Sequence, residues 1–285
     1  MCLCAALCLA SVGNISSQVS NDQPPFLDAG ASASPRLTRL TAEIRSRSRV
    51  TALASFWEEI RRDGAPLIEP IPGESNYSWV TFLWRAVGKT TNVVVVDGVA
   101  AGVGGADPTK SLMSPVAGTD VWYRTYKVRN DAAFTYTLSP NDSLEKLTGP
   151  RKSKPQLDPL NPNLSGPQSS VRLSSAPAQT ENAAALAGTI APSSITSTLL
   201  QNTRNLQIYT PPGYTAGERY RGLRVSMSVG SMEIPEQRDT NRRLGDVLAE
   251  KGYLLDYSEF NGNHSYLNWR ADLARHLVHL IGPPR

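Results

Sequence analysis

The 285-residue sequence predicts an α+β protein of two domains, an antiparallel β-sandwich followed by an incomplete α/β domain. Short β-branched and aromatic runs, punctuated by Gly, Asp and Pro, occupy residues 79–138. A stretch rich in Pro, Ser, Asn and Ala follows, and from residue 204 strand-like and helix-like patterns alternate. With 40% hydrophobic and 19% charged residues, the chain can bury two ordinary cores, which excludes disorder throughout.

Residues 1–40 read as a possible clipped signal peptide and a linker. Met1 to Val12 is apolar and ends in small residues, like the tail of a secretory signal, yet it lacks a basic front end and reads equally as a frayed terminus. Cys2, Cys4 and Cys8 are the only cysteines, so the folded body holds neither a disulfide framework nor a Cys-based zinc site. Residues 13–40 show no apolar periodicity, and order is expected to begin after them.

The first domain spans residues 41–147. Ile44, Val50, Leu53, Phe56, Trp57 and Ile60 among charges predict an amphipathic helix from Thr41 to Arg62, stopping before Gly64 and Pro66. Trp79–Trp84, Asn92–Asp97, Asp120–Val128 and Ala133–Leu138 predict the strands of an Ig-like sandwich. In the third run both faces carry large side chains, Val121 and Tyr123 alternating with Trp122 and Arg124, so one face is a candidate contact surface.

Residues 148–203, with Asp158-Pro-Leu-Asn-Pro162, read as a connection that wraps rather than packs. In residues 204–285 the expected order is a strand Arg204–Thr210, a turn Pro211–Tyr214 and a strand Gly222–Gly230. A helix Thr240–Lys251 stopped by Gly252, a strand Leu254–Phe260, a loop Asn261–His264 and a helix Trp269–Ile281 complete it.

A net charge of +4 and an isoelectric point near 9.0 come from scattered Lys and Arg, which makes no case for nucleic acid. No run of about 18 apolar residues is present to span a membrane. No His and carboxylate cluster has metal-ligand spacing, and no cofactor is implied.

A histidine on a Gly-containing loop just beyond a strand is where α/β hydrolases place the general base. His264 has that context. The acid that fixes its tautomer follows an earlier strand, and Glu233 is better placed for this than Glu236 or Asp239. The plainer reading makes His264 a surface hydrogen-bonding group and Glu233 the first-turn acid of the next helix. His276 and His279, in the last helix, read as structural.

The run Gly252-Tyr-Leu-Leu-Asp-Tyr-Ser-Glu-Phe-Asn-Gly-Asn-His264-Ser-Tyr-Leu-Asn-Trp269-Arg270 resembles the end of the enterochelin esterase branch of the esterase D-like α/β hydrolases, where a Gly-Gly-His-Asp loop precedes a Trp-Arg pair. Phe56-Trp57, Pro66-Leu67, Val80-Thr-Phe-Leu-Trp-Arg85, Gly118-Thr-Asp-Val-Trp122 and Asp158-Pro-Leu-Asn-Pro162 resemble that family's N-terminal domain. The resemblance implies hydrolysis of the esters of a ferric catecholate siderophore for iron release, the iron arriving as part of the substrate. It implies His264 as catalytic histidine, Glu233 as its acid, Trp269 and Arg270 as substrate-binding residues, and a cytoplasmic location, or an exported one if residues 1–12 end a signal peptide.

The chain departs from that family at the nucleophile. No Gly-x-Ser-x-Gly pentapeptide occurs, and Ser226-Met-Ser228-Val-Gly230 lacks the first glycine. Ser228 and Ser231 are therefore poor candidates. The sequence passes at Arg221-Gly222 straight to the penultimate strand, so an internal deletion is expected there, with hydrolysis impaired or replaced by binding of a siderophore or a partner.

Overall fold

The computed structural model describes residues 26–29, 33–145, 154–178, 189–197, 202–210 and 224–281. The signal-like segment, the Pro211–Tyr214 turn and the Arg221-Gly222 join lie outside the described residues. The chain divides into two compact units, Met1–Ala178 with Arg224–Arg285, and Gln179–Leu223.

In the larger unit, β1 (Phe26–Asp28) precedes α1 (Pro35–Ser46) and α2 (Arg49–Asp63). Order thus begins earlier than residue 41, and the single expected helix is two. The Ser34 side chain accepts from the Leu37 N–H and Pro35 occupies the first turn, a local start signal inside the supposed linker. Extended backbone at Arg47 breaks the run, and α2 stops at Gly64, whose φ of 83° suits a residue without a Cβ.

The strands β2 (Leu67–Ile71), β3 (Glu74–Arg85) and β4 (Val93–Val96) follow, then α3 (Gly98–Gly104), β5 (Ser114–Pro115), β6 (Val121–Arg129) and β7 (Ala133–Pro140). One antiparallel sheet has the order β1-β6-β3-β2, with β5 also on β6. Two further strands, β8 (Leu164–Ser165) and β9 (Gln168–Arg172), complete a second sheet of order β4-β7-β9-β8.

The stretch expected only to wrap therefore supplies two strands, and its Asp158 is buried beneath them. Ser- and Asn-rich sequence has little apolar signal, but here its polar groups are satisfied. The Tyr136 hydroxyl donates to Asp158 Oδ2 at 2.7 Å, and Asn161 Nδ2 donates to that hydroxyl at 3.1 Å.

Both sheets bury one face in a common core. Val80, Phe82, Tyr126 and Val128 meet Val93, Val95, Phe134, Tyr136 and Leu138 there. The Phe82 ring stands edge-on to Tyr136 at 4.7 Å and to Tyr126 at 5.9 Å, pairs that add about 0.5–1.5 kcal/mol each beyond area burial. The other face of β3 and β6 packs Leu83, Val121 and Tyr123 against Leu37, Leu40, Phe56, Trp57 and Ile60 of α1 and α2. The two-faced patterning of β6 is thus explained by its own helices.

The hairpin of β10 (Thr189–Ser197) and β11 (Asn202–Thr210) belongs to the smaller unit, running from Thr189 opposite Thr210 to Ser197 opposite Asn202. Residues 189–197 were expected as connection. Their Thr and Ile residues suit a ladder once a partner strand is supplied.

Back in the larger unit, β12 (Arg224–Gly230), α4 (Pro235–Glu250), β13 (Leu254–Phe260) and α5 (Tyr266–Ile281) follow in order. β12 and β13 pair in parallel, Arg224 opposite Leu254 through Gly230 opposite Phe260. Among the described residues β12 pairs with no other strand. Both helices begin before their expected starts, α4 on Pro235, which can open a helix without an N–H.

Arg224–Arg285 share one compact unit with Met1–Ala178. Met232, just after β12, is 1% exposed and belongs to the core of the two sheets. Gly102 of α3 makes the room. A Cβ there would lie 2.4 Å from Phe26 Cζ and 3.1 Å from Met232 Cα.

Candidate active site

Glu233 and His264 each follow the C-terminal end of one strand of the parallel pair, β12 and β13. Parallel strands bring those ends to the same side, which is where α/β sheets carry their sites. Met232 N–H donates to the Gly262 carbonyl at 3.0 Å and Ser231 N–H to the Phe260 carbonyl at 2.8 Å, holding the two loops together. Gly230 permits this approach, since a Cβ on it would stand 2.3 Å from the Gly262 oxygen.

His264 Nδ1–H donates to Glu233 Oε1 at 3.1 Å. The acceptor carboxylate directs the proton to Nδ1, leaving the Nε2 lone pair free to take one. Burial pushes the Glu233 carboxyl up, with the His264 charge and hydrogen bond pulling the other way. Glu233 precedes α4 altogether, and Glu236 is that helix's first-turn acid. The plainer reading of Glu233 therefore does not describe its position.

Trp269 stands edge-on to the His264 ring, centroids 4.6 Å apart at 87°, and Tyr266 stands edge-on to Trp269 at 5.1 Å. His264, Tyr266 and Trp269 are exposed together. Arg270, beside Trp269, is exposed and forms no ion pair among the described residues. Three of the four expected site residues are thus brought together, with Arg270 adjacent in the helix.

Among the described residues no hydroxyl hydrogen-bonds His264. Ser231 is buried and donates to Asn261 Oδ1 at 3.0 Å, and Ser228 belongs to a different cluster. His276 Nε2 lies 3.0 Å from Ser228 Oγ and 2.5 Å from Asp272 Oδ2, while Nδ1 meets Ser226 Oγ, which also bonds Asp256 at 3.2 Å. Burial raises the Asp272 carboxyl, but hydrogen bonds from Ser228 and His276 and the Arg275 charge outweigh it and hold the group below its ordinary value. With its proton donated to the Asp272 carboxylate, Nε2 has no lone pair left to act as base toward Ser228. The cluster is a polar seam between α5 and the β12–β13 pair.

Among the described residues no group of three or more His, Cys, Asp or Glu could hold a metal ion, and no helix is long and apolar enough to cross a membrane.

Residues 79–182 match the family described as "Enterochelin esterase, N-terminal". Residues 79–182 are therefore similar to the N-terminal domain of enterochelin esterases. Solved structures similar to it include the enterobactin esterase FES from Shigella flexneri in the presence of enterobactin, 15% identical, covering 79% of this chain and 97% of that one with a TM-score of 0.48. The same protein in the presence of 2,3-di-hydroxy-N-benzoyl-glycine is 16% identical, covers 79% and 98%, and has a TM-score of 0.49. Ferric enterobactin esterase (fes) from Salmonella typhimurium is 20% identical over 74% of this chain and 52% of that one, with a TM-score of 0.36. No curated protein matches the sequence.

The features that sequence reasoning missed are those holding the histidine loop. Asn263 and Asn268 are 6% and 7% exposed, and both are spent on hydrogen bonds. Asn is a common loop residue, so no local signal marked them. The polar seam was legible in part. Ser226 and Ser228 share a strand face, and Asp272 and His276 share a helix face.

Proposed function

We propose that this protein is an enterochelin-esterase-like protein acting on the esters of ferric catecholate siderophores, with hydrolysis impaired by the missing Gly-x-Ser-x-Gly turn. The Glu233–His264 pair, assembled beside an enterochelin esterase N-terminal domain, carries this reading. With Nδ1–H held by Glu233, Nε2 would take a proton from an attacking hydroxyl or water and return it to the leaving alcohol. Exposed Trp269 and Tyr266 offer ring faces to a catechol, and Arg270 offers charge to an anionic siderophore complex. Iron would enter chelated by the substrate.

In this reading the two antiparallel sheets form an Ig-like sandwich that helps to cover a large substrate. Residues 204–285 are an α/β hydrolase domain lacking its central strands, and residues 148–203 join the two. The pairing of β12 with β13 alone among the described residues supports the loss of neighbouring strands.

A second reading, binding of the siderophore without turnover, is favoured by one observation. His264 has no hydroxyl partner among the described residues. The test is hydrolysis of a ferric catecholate triester by the full chain and by His264→Ala, with binding titrated in parallel. Slow turnover lost in the variant is expected for an impaired esterase. Equal background rates with saturable binding leave the binding reading, and absence of both sinks the proposal.

A further inference from the structure

We propose that Asn263 is a positioning residue that fixes His264 by docking its side-chain amide onto β7 as a substitute for a strand's backbone. This rests on the reading of His264 as the base. Asn263 Oδ1 accepts from the Thr135 N–H at 3.1 Å, and Nδ2 donates to the Thr135 carbonyl at 3.0 Å and to Thr135 Oγ1 at 3.1 Å. A carboxamide carries the same donor and acceptor pair as a peptide group, so it completes a ladder rung with one β7 residue.

The rung continues an edge. Ala133 and Thr135 are two residues apart on β7 and so present their N–H groups on the same side. Ala133 N–H donates to the Asn261 carbonyl at 3.1 Å, and Thr135 N–H to Asn263. Phe134 and Tyr136 lie in the stretch of β7 that pairs with β9. The loop from Asn261 to Asn263 thus closes β7 along a run that would otherwise bury unpaired backbone groups.

The backbone of Asn263 is held from the other direction. Asn268 Nδ2 donates to the Asn263 carbonyl at 2.9 Å, and Ser265 N–H donates to the same carbonyl at 2.8 Å. His264 sits between these anchored residues, its own side chain 62% exposed and, among the described residues, in contact with Glu233 and Trp269. An exposed imidazole has many rotamers in reach, so its orientation depends on a backbone that cannot turn. The sandwich strand is therefore part of the machinery that aims the histidine.

The test uses the full chain with 15N-labelled histidine, comparing the parent with Asn263→Ala and Asn263→Asp. Thr135 amide exchange reports the anchor, and the His264 ring nitrogens report the tautomer held by Glu233. Asn263→Ala is expected to speed Thr135 exchange by about tenfold and to turn a single Nδ1–H tautomer into a mixture. Asn263→Asp keeps the size of the side chain but sets a carboxylate against the Thr135 carbonyl. It should give the same result above the titration of its carboxyl, and it serves if the alanine variant does not fold.

Faster Thr135 exchange with unchanged His264 signals in both variants would show a merely structural asparagine and overturn the proposal. A parent that already lacks a fixed tautomer while its Thr135 amide is protected would instead sink the Glu233–His264 reading, and the proposal with it.

Discussion

Glu233 keeps only 8% of its side chain in solvent, while its hydrogen-bond partner His264, 3.1 Å away, keeps 62%. The acid is packed into the protein and the imidazole stands at its surface, the arrangement a base needs if it is to be oriented from behind and reached from in front.

That asymmetry makes stability depend on pH at Glu233. Burial raises its carboxyl above the unfolded value of about 4.3, so its favourable contribution is fully present below that value and is lost as pH rises through the folded one. At neutral pH the ionised carboxylate is a burden. Glu233→Gln is expected to raise the melting temperature at pH 7 and to change it little at pH 4. An equal loss at both pH values in calorimetry would contradict the burial argument.

Two glycines of the C-terminal segment should respond oppositely to alanine. At Gly230 the new Cβ meets the Gly262 carbonyl oxygen at 2.3 Å, a backbone atom of the histidine loop. A loss of about 1–3 kcal/mol in urea unfolding is expected, with displaced His264 resonances. At Gly245 in α4 the new Cβ finds Tyr257 Cδ2 at 3.6 Å, ordinary contact. Gly245→Ala should gain about 0.5–1 kcal/mol from helix propensity and leave the His264 resonances in place.

Tyr136→Phe removes the hydroxyl that donates to buried Asp158. A buried carboxylate left without that donor costs about 1–3 kcal/mol. Burial already raises the Asp158 carboxyl, against hydrogen bonds from Tyr136 and the Leu160 N–H. The loss is expected to be larger at pH 7, where the carboxylate must remain charged, than at pH 4. Unfolding curves at the two pH values check this.

His276→Ala should destabilise the chain by about 1–3 kcal/mol, because Ser226, Ser228 and Asp272 lose their common partner in the polar seam. Ser228→Ala should leave any ester turnover unchanged. A loss of turnover in Ser228→Ala with the fold intact would assign that serine a chemical role.

How much of this was legible beforehand depended on how local each signal is. The β-branched runs of β3, β4, β6 and β7 declared their strands, and Leu244, Val247 and Leu248 declared α4, because a period of two or of 3.6 is carried by neighbouring residues. His264 and Glu233 were nameable because each follows a recognisable strand. β8 and β9 were not, since their Ser and Gln residues become strand only when β7 offers a partner.

By itself, then, the sequence determined the types of most elements, the candidate base and acid, and the missing nucleophile turn. Tertiary structure decided that α1 starts at Pro35, that Met232 enters the core of the sheets, and that Asn263 grips Thr135 across 128 positions of chain. Periodicity and capping are written within a few residues. A hydrogen-bond partner so far along the chain is chosen only when the whole unit closes around it.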